Sequence, residues 1–308
     1  IWQDTYRVVQ TAIANAKIIP SEIVAIGLTV QRETCLIWDK TTGKPLHRAI
    51  VWQDRRTASL CNQLQVQGYA QEIYDRTGLV IDAYFSATKL RWLLDHVTDV
   101  ALKNVLAGTI DTWILWKLTG GKVHATDHSN ASRTMLMNLT SCKWDETLLE
   151  LFQIPAHILP EILPSLGKFG VTDSSLLGAE IPITAVLGDQ QAALFGHGCD
   201  RPGLMKCTYG TGSFLVAHTG SEIVRSQNQL ISTVAWTQIR NGSLDVGYAL
   251  EGSMFTSGAC IQWLRDGIQL IKTAAETEAI ANQVTDNGGV YFVPAFSGLG
   301  APHWDMTA

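Results

Sequence analysis

The segment Ile181–Phe214 decides the fold, and its sequence is IPITAVLGDQQAALFGHGCDRPGLMKCTYGTGSF. An apolar run over residues 181–187 ends at Gly188, the polar Asp189 follows, and helical character begins again at Ala192. This pattern predicts a strand, a tight turn and a helix, with a carboxylate at the carboxyl end of the strand. Ligands bind at that edge in open α/β sheets, so we predict an α/β fold with a functional site here.

A second motif follows within the same segment. Residues 205–209 are predicted to form a short strand that runs into Gly210, Thr211 and Gly212, after which a further strand starts near Phe214. A turn pinched by glycines lets backbone N–H groups approach an anion closely, and the Thr211 hydroxyl adds one more donor. A carboxylate beside a turn of phosphate size indicates phosphoryl transfer.

Composition and charge narrow the class of protein. The length of 308 residues favours two domains, and the turn at residues 199–203 is the predicted boundary. The net charge of −5 argues against a nucleic acid or an anionic membrane as partner. The six cysteines form no C-x-x-C pair, and no apolar run reaches membrane-spanning length, so we predict reduced thiols in a cytoplasmic protein without a metal site.

Two earlier strands are predicted to end in dense polar sequence. The run 23–30 stops at Gln31-Arg32-Glu33-Thr34, and the run 49–52 stops at Gln53-Asp54-Arg55-Arg56. Strands that end abruptly in polar side chains are typical of a binding edge. Solvated loops have the same composition, so each cluster alone is equally consistent with a loop.

Further segments give less specific patterns. We predict a helix over 84–96 with Ser86 as N-cap, a helix over 254–264, and a strand at the start of the segment 288–308. His124 and His128 have the spacing of metal ligands on a helix, but their surroundings predict a loop and hydrogen-bonded histidines. The small residues 257–259 favour close packing, and a flat ligand lying against them is the alternative.

Taken together, nine segments resemble the FGGY family of carbohydrate kinases, and the resemblance covers essentially the whole chain. That family has an actin-like, ribonuclease-H-like two-domain fold. The residues 84–96 fit its first signature, aromatic-x-Ser-x-x-Lys-hydrophobic-x-Trp-hydrophobic-x-Asp-His. The nine segments, in chain order, are AIGLTVQRET, AIVWQDRRT, GLVIDAYFSATKLRWLLDH, GTIDTW, TDHSNASRTM, GDQQAALFG, TYGTGSF, YALEGSMFTSGACIQWLRD and VPAFSGLGAPHWD.

The resemblance implies a polyol-binding domain over 1–199 and a nucleotide-binding domain over 200–308. It implies ATP and Mg²⁺ as cofactors, and the QRE and VWQ stretches favour glycerol as the substrate, with sn-glycerol 3-phosphate as product. Asp189 would be the catalytic base that takes the proton from the attacking hydroxyl. The implied substrate-binding residues are Arg32, Glu33, Trp52, Tyr84, Asp189, Gln190 and Phe214. The implied cofactor-binding residues are Gly210, Thr211, Gly212, Gly258 and Gln262.

The resemblance is incomplete at both ends. The family's amino-terminal Asp-x-Gly-Thr phosphate motif and its carboxyl-terminal Gly-Gly adenosine segment are not in the sequence. We therefore expect an internal fragment that is inactive alone, cut from a protein that forms a homo-oligomer. Three alternatives stay open: a related kinase for a pentulose or another polyol, a glycoside hydrolase using Glu33 and Asp189, and a non-catalytic actin-like module.

Overall fold

The computed structural model describes residues 1–97 and 100–308. Within these ranges, the α-helices alternate along the chain with the strands of several sheets. They are α1 Trp2–Ala16, α2 Ala58–Val66, α3 Ala70–Thr77, α4 Ser86–His96, α5 Ile110–Leu118, α6 His128–Ala131, α7 Glu146–Leu151, α8 Ser174–Leu177, α9 Asp189–Gly196, α10 Gly258–Gln262 and α11 Glu276–Ala281. No helix in these ranges has the length and apolar character needed to cross a membrane.

The strands before residue 210 have at most six residues, and the three strands after it have 8, 10 and 12. They are β1 Ile26–Val30, β2 Cys35–Asp39, β3 Val105–Thr109, β4 Ala125–Asp127, β5 Met137–Asn138, β6 Lys143–Trp144, β7 Glu161–Leu163, β8 Ile183–Gly188, β9 Met205–Tyr209, β10 Ser213–Gly220, β11 Ile231–Arg240 and β12 Ser243–Met254.

Strands β1 and β8 pair in parallel and bring two polar segments to one edge. Val30 lies opposite Gly188, so Gln31 and Asp189 begin side by side just beyond the two carboxyl ends. The strand and the helix predicted around Gly188 are confirmed as β8 and α9, but α9 begins at Asp189, directly after β8, and not at Ala192. Parallel strands place such segments together because their carboxyl ends meet at the same edge.

The second part of the chain is organised by an antiparallel sheet in the order β11-β12-β10-β9. Asn241 and Gly242 have φ angles of 52° and 79°, the left-handed conformation that a tight hairpin turn requires. The hairpin predicted at this turn is confirmed. Phe214 and Phe255, from β10 and the end of β12, belong to the same apolar core as Tyr84 and Leu90.

The structure contradicts several of the element predictions. The helix predicted over 84–96 begins at Ser86, so Phe85 and not Ser86 is at its N-cap position. Residues 49–52 form no strand, because Ile50 makes only an isolated bridge to Cys35. The helix predicted over 254–264 is shorter, because β12 continues to Met254 and residues 263–267 widen into a π-helix. Residues 288–308 make isolated bridges instead of a strand, because their glycines and prolines interrupt the backbone hydrogen bonding.

Of the two histidines at metal-ligand spacing, His124 lies in irregular backbone as predicted, whereas His128 lies in a helix and not in the predicted loop. His128 begins α6, and its Nδ1 lies 3.0 Å from Thr237 Oγ1. His124 immediately precedes β4, and its Nε2 lies 2.9 Å from the carbonyl oxygen of Ala107. Each ring is therefore engaged in a hydrogen bond to the protein, as predicted.

Candidate active site

A cavity of about 250 Å³ lies where the carboxyl ends of β1 and β8 face the turn between β9 and β10. All seven predicted substrate-binding residues and all three residues of the Gly-Thr-Gly turn line it. Gly258 and Gln262 lie outside the lining. The lining residues are Gln31, Arg32, Glu33, Trp52, Tyr84, Asp189, Gln190, Thr208, Gly210, Thr211, Gly212 and Phe214.

Arg32 and Glu33 form the buried polar wall of the cavity. Both side chains are only 2% exposed, and the Arg32 Nε lies 3.8 Å from Glu33 Oε1. Glu33 has a φ of 60°, a left-handed backbone conformation that costs a residue with a Cβ about 1 kcal/mol or more. This conformation at the end of β1 places two consecutive charged side chains at the same cavity.

Two charged residues that the sequence did not single out lie directly behind this wall. Glu251 of β12 accepts hydrogen bonds from Arg32 at 2.5 and 2.9 Å, and from Arg133 at 3.0 Å. The Arg133 Nε donates to Glu33 at 2.6 Å. Both residues occur within the quoted segments, and a glutamate directly after the apolar run 246–250 was the available signal for Glu251.

Burial and the neighbouring arginines together shift the pKa values of Glu251 and Glu33 in opposite directions. Burial raises the pKa of Glu251, but Arg133 and Arg32 outweigh it and bring that pKa down to about 2. Burial dominates for Glu33 and raises its pKa, against the lowering effect of Arg133 and Arg32. The difference arises because Glu251 faces two guanidinium groups at hydrogen-bonding distance, whereas Glu33 has one.

Asp189 and Gln190 form the first turn of α9 and supply the accessible carboxylate. The Asp189 side chain is 44% exposed, and its Oδ1 lies 3.5 Å from Arg32 Nε. The backbone N–H of Gln190 donates to Asp189 Oδ1 at 2.8 Å, and its side-chain amide donates to Oδ2 at 3.1 Å. The carboxylate is thus held in place yet open to the cavity, as a proton acceptor must be.

Aromatic rings form the opposite wall. The Trp52 ring centroid lies 5.7 Å from that of Tyr84 and 6.0 Å from that of Phe214, both in edge-on orientation. Arg32 Nη2 also donates to the Tyr84 hydroxyl at 3.3 Å. The cavity therefore offers charged groups on one side and apolar faces on the other, a combination that fits a small molecule with a carbon chain and several hydroxyl groups.

The Gly-Thr-Gly turn is fixed against the start of α10. Gly258 N donates to Gly210 O at 2.8 Å, and Ala259 N donates to Thr211 O at 3.1 Å. A Cβ on Gly258 would lie 2.5 Å from the oxygen of Gly210, and one on Gly212 would lie 2.4 Å from the oxygen of Met254. These glycines are required by close backbone approach, so the small face of this helix has a packing role.

Lys206 is a further residue that the sequence analysis missed. It lies on β9 beneath the cavity, and its Nζ donates to the side-chain oxygen of Gln190. It also donates to Thr208 Oγ1 at 2.9 Å and to Phe214 O at 3.2 Å. Burial lowers the pKa of Lys206 to about 8. One ammonium group thus fixes three residues that line the cavity.

Comparison with known proteins identifies the family to which the chain belongs. Residues 1–196 match the N-terminal domain of the FGGY family of carbohydrate kinases, and residues 205–308 match its C-terminal domain. The chain therefore belongs to the FGGY family of carbohydrate kinases. The mixed α/β, actin-like two-domain fold predicted from the sequence is confirmed.

Individual relatives and solved structures show which members of this family the chain resembles. The chain is 83% identical over its whole length to a glycerol kinase of Nostoc sp. and 55% identical to glycerol kinase 2 of Thermotoga maritima. A crystal structure of Plasmodium falciparum glycerol kinase with ADP superposes with a TM-score of 0.84 at 38% identity, over 99% of this chain and 61% of that one. A xylulose kinase from Lactobacillus acidophilus, at 22% identity and a TM-score of 0.77, shares the fold. The chain spans 62% of the length of each of these two curated relatives.

Proposed function

We propose that the chain carries the glycerol site and the phosphate-binding turn of an ATP-dependent glycerol kinase, whose product is sn-glycerol 3-phosphate. The observation that carries the proposal is the cavity itself. It combines the Arg32–Glu33 wall, the open carboxylate of Asp189 and the aromatic faces with the Gly-Thr-Gly turn. A cavity of about 250 Å³ is below the ~300–1,000 Å³ of pockets for drug-sized ligands, which suits a small polyol.

In this proposal each wall has a separate task. Arg32 and Glu33 hydrogen-bond to two hydroxyl groups of glycerol, Tyr84 and Gln190 line the same space, and Trp52 and Phe214 pack against its carbons. Asp189 would take the proton from the terminal hydroxyl as that oxygen bonds to the terminal phosphorus of ATP, and ADP would leave as its bond to that phosphorus breaks. A missing hydroxyl would leave a buried polar group unpaired at a cost of ~1–3 kcal/mol, which gives the pocket its selectivity.

The residues present also fit the nucleotide side. Phosphate oxygens would bind to the turn formed by Gly210, Thr211 and Gly212. Gly258 and Gln262 lie on α10 behind this turn and would contact the nucleotide. Asp189 is an accessible carboxylate close to that turn, and Mg²⁺ commonly takes one or two carboxylates together with phosphate oxygens and water. When bound, Mg²⁺ would offset the negative charge of the phosphates.

At the level of the whole chain, we propose a polyol-binding domain over residues 1–199 and a nucleotide-binding domain over 200–308. We further propose a cytoplasmic homo-oligomer that binds neither nucleic acid nor membranes, in keeping with the net charge of −5. The alternative of a glycoside hydrolase loses support because Glu33 is paired with Arg133 behind the cavity and the family is one of kinases.

The proposal is tested by ATP turnover of the native protein with glycerol, dihydroxyacetone and a pentulose. We expect the highest kcat/KM with glycerol. A preference for the pentulose would identify a related kinase of the same family and overturn the glycerol assignment. Binding of ATP without any turnover on the three substrates would instead favour the non-catalytic actin-like module.

A further inference from the structure

Arg32, Glu33, Arg133 and Glu251 form a closed ion cluster, of which only the first two residues reach the cavity. All four side chains are at most 2% exposed. Arginine and glutamate alternate around it, with two positive and two negative charges. A buried cluster of this kind is held in one arrangement because each charge needs its partners.

Glu251 determines which edge of Arg32 faces the ligand. Its carboxylate occupies both terminal nitrogens of that guanidinium, at 2.5 and 2.9 Å. The remaining Nε edge is directed toward Asp189, at 3.5 Å from Oδ1. A bidentate contact fixes the plane of a guanidinium as well as its position.

Arg133 performs the matching task for Glu33. Its Nε donates to Glu33 Oε1 at 2.6 Å, while its Nη2 donates to Glu251 at 3.0 Å. Among residues 1–97 and 100–308, no hydrogen bond to Glu33 Oε2 is found, so this oxygen is left for a hydroxyl of the ligand. Arg133 thereby ties Glu33 to the same carboxylate that orients Arg32.

The four residues come from both parts of the chain. Arg32, Glu33 and Arg133 precede residue 200, whereas Glu251 lies on β12 of the second sheet. The Ser253 hydroxyl supports it with a hydrogen bond of 2.8 Å. The polar wall of the cavity is therefore oriented by a strand that belongs to the second part of the molecule.

We propose that Glu251, seated by Arg133 and Ser253, is a positioning residue for the polyol: it orients Arg32 and, through Arg133, Glu33. This inference rests on the proposed function. It predicts that the cluster governs the affinity for glycerol and has little effect on the affinity for ATP.

The test compares three variants of the native protein: Glu251→Gln, the double variant Arg133→Met with Glu251→Gln, and the control Asp245→Asn. Asp245 is a half-exposed carboxylate on the same strand, paired with the exposed Arg240. We expect Glu251→Gln to raise the glycerol KM by about 10–100-fold, in line with the loss of hydrogen bonds to a charged group. The ATP KM should change less than about threefold, and the control should behave as the wild type.

The double variant separates positioning from folding. It removes one charge of each sign, so the melting temperature should return toward that of the wild type. The glycerol KM should nevertheless stay raised, and glycerol binding measured by titration calorimetry without ATP should weaken to the same degree. Recovery of the glycerol KM together with the melting temperature would overturn the inference and leave a structural role only.

Two further results distinguish a failure of the positioning role from a failure of the proposed function. If the wild type turns over glycerol and Glu251→Gln keeps its KM, the positioning role is wrong while the proposed function holds. If the wild type does not turn over glycerol, the proposed function itself fails. Should Glu251→Gln not fold, Ser253→Ala removes one support of the carboxylate, and an unchanged glycerol KM in that variant would count against the role.

Discussion

At the scale of single residues, Asp189 is the accessible carboxylate at the meeting point of the polar wall and the Gly-Thr-Gly turn. Replacing it by Asn keeps the shape and removes the proton acceptor. We expect kcat to fall by about 10²–10⁴-fold, the usual contribution of general-base catalysis, with a glycerol KM within a few-fold of wild type. Steady-state kinetics of Asp189→Asn in the native protein measure both quantities.

The matched control for that variant is Asp200→Asn, at an exposed carboxylate just after α9. Wild-type kinetics are expected for the control. If Asp189→Asn retained most of the wild-type kcat, another group would have to be the base.

Lys206 gives a prediction about pH. Burial lowers its pKa from 10.5 to about 8, so between these values the unfolded chain binds the proton more often than the folded chain. Its contribution therefore makes the free energy of unfolding rise as the pH goes from 8 to 10.5. We expect this rise to be smaller in Lys206→Met, measured by urea unfolding across that range. An equal pH dependence in wild type and variant would contradict the shift, and Lys44→Met at an exposed position serves as control.

At the scale of elements, the contact between α10 and the Gly-Thr-Gly turn predicts the effect of a single methyl group. In Gly258→Ala the added Cβ would lie 2.5 Å from the oxygen of Gly210, so the helix and the turn must separate. We expect a stability loss of ~1–3 kcal/mol, typical of overpacking, together with a raised ATP KM. Thermal unfolding and steady-state kinetics of the native protein provide the measurement.

Gly196→Ala is the control for the element prediction, since no atom lies within 4 Å of a Cβ built there. We expect it to be neutral or slightly stabilising. A similar loss in both variants would mean that the contact with the turn is not the cause.

The sequence predicted those elements whose signal is local. The run into Gly188 followed by Asp189, and the Asn241-Gly242 hairpin, each contain strand, turn and partner within a few residues. The final segment 288–308 has β-branched and aromatic residues but pairs with no strand of the described residues. Its strand propensity alone therefore led to a wrong prediction of a strand there. The same limit applies to residues 49–52.

The candidate site was predicted in part for the same reason. The cavity-lining residues follow strand ends or turns, and the resemblance named most of them. Arg133 and Glu251 were missed because their partners are 100 or more residues away in sequence, and pairing of that kind is not visible in local patterns. Lys206 was missed because an alternating strand does not show which polar side chain turns inward.

At the scale of the whole molecule, the cavity uses residues from both parts, so ligand binding should stabilise the native protein as a unit. Other contacts also join the parts: Arg225 donates to the oxygens of Tyr74 and Asp75 at 2.9 and 2.7 Å, and Ser232 N to Gly78 O at 3.0 Å. A ligand at 100 times its Kd adds about 2.7 kcal/mol. We expect millimolar glycerol to raise the Tm in a single transition, measured by calorimetry.

Propane-1,2-diol is the control ligand, because it lacks one hydroxyl and would leave a buried polar group of the cavity unpaired. It should leave the Tm nearly unchanged at the same concentration. Equal shifts with the two compounds would show a solvent effect and not occupation of the cavity.

The close fit of α10 against the Gly-Thr-Gly turn also bears on how this enzyme class can be re-engineered. Backbone atoms touch there with no side chain between them, so we expect a displacement of the helix to displace the turn as well. A mutation on the outer face of α10 that shifts the helix would therefore also change the position of Thr211. Libraries aimed at new phosphate donors would do better to vary that outer face than Gly212 and Gly258, where a Cβ would lie 2.4 and 2.5 Å from a backbone oxygen.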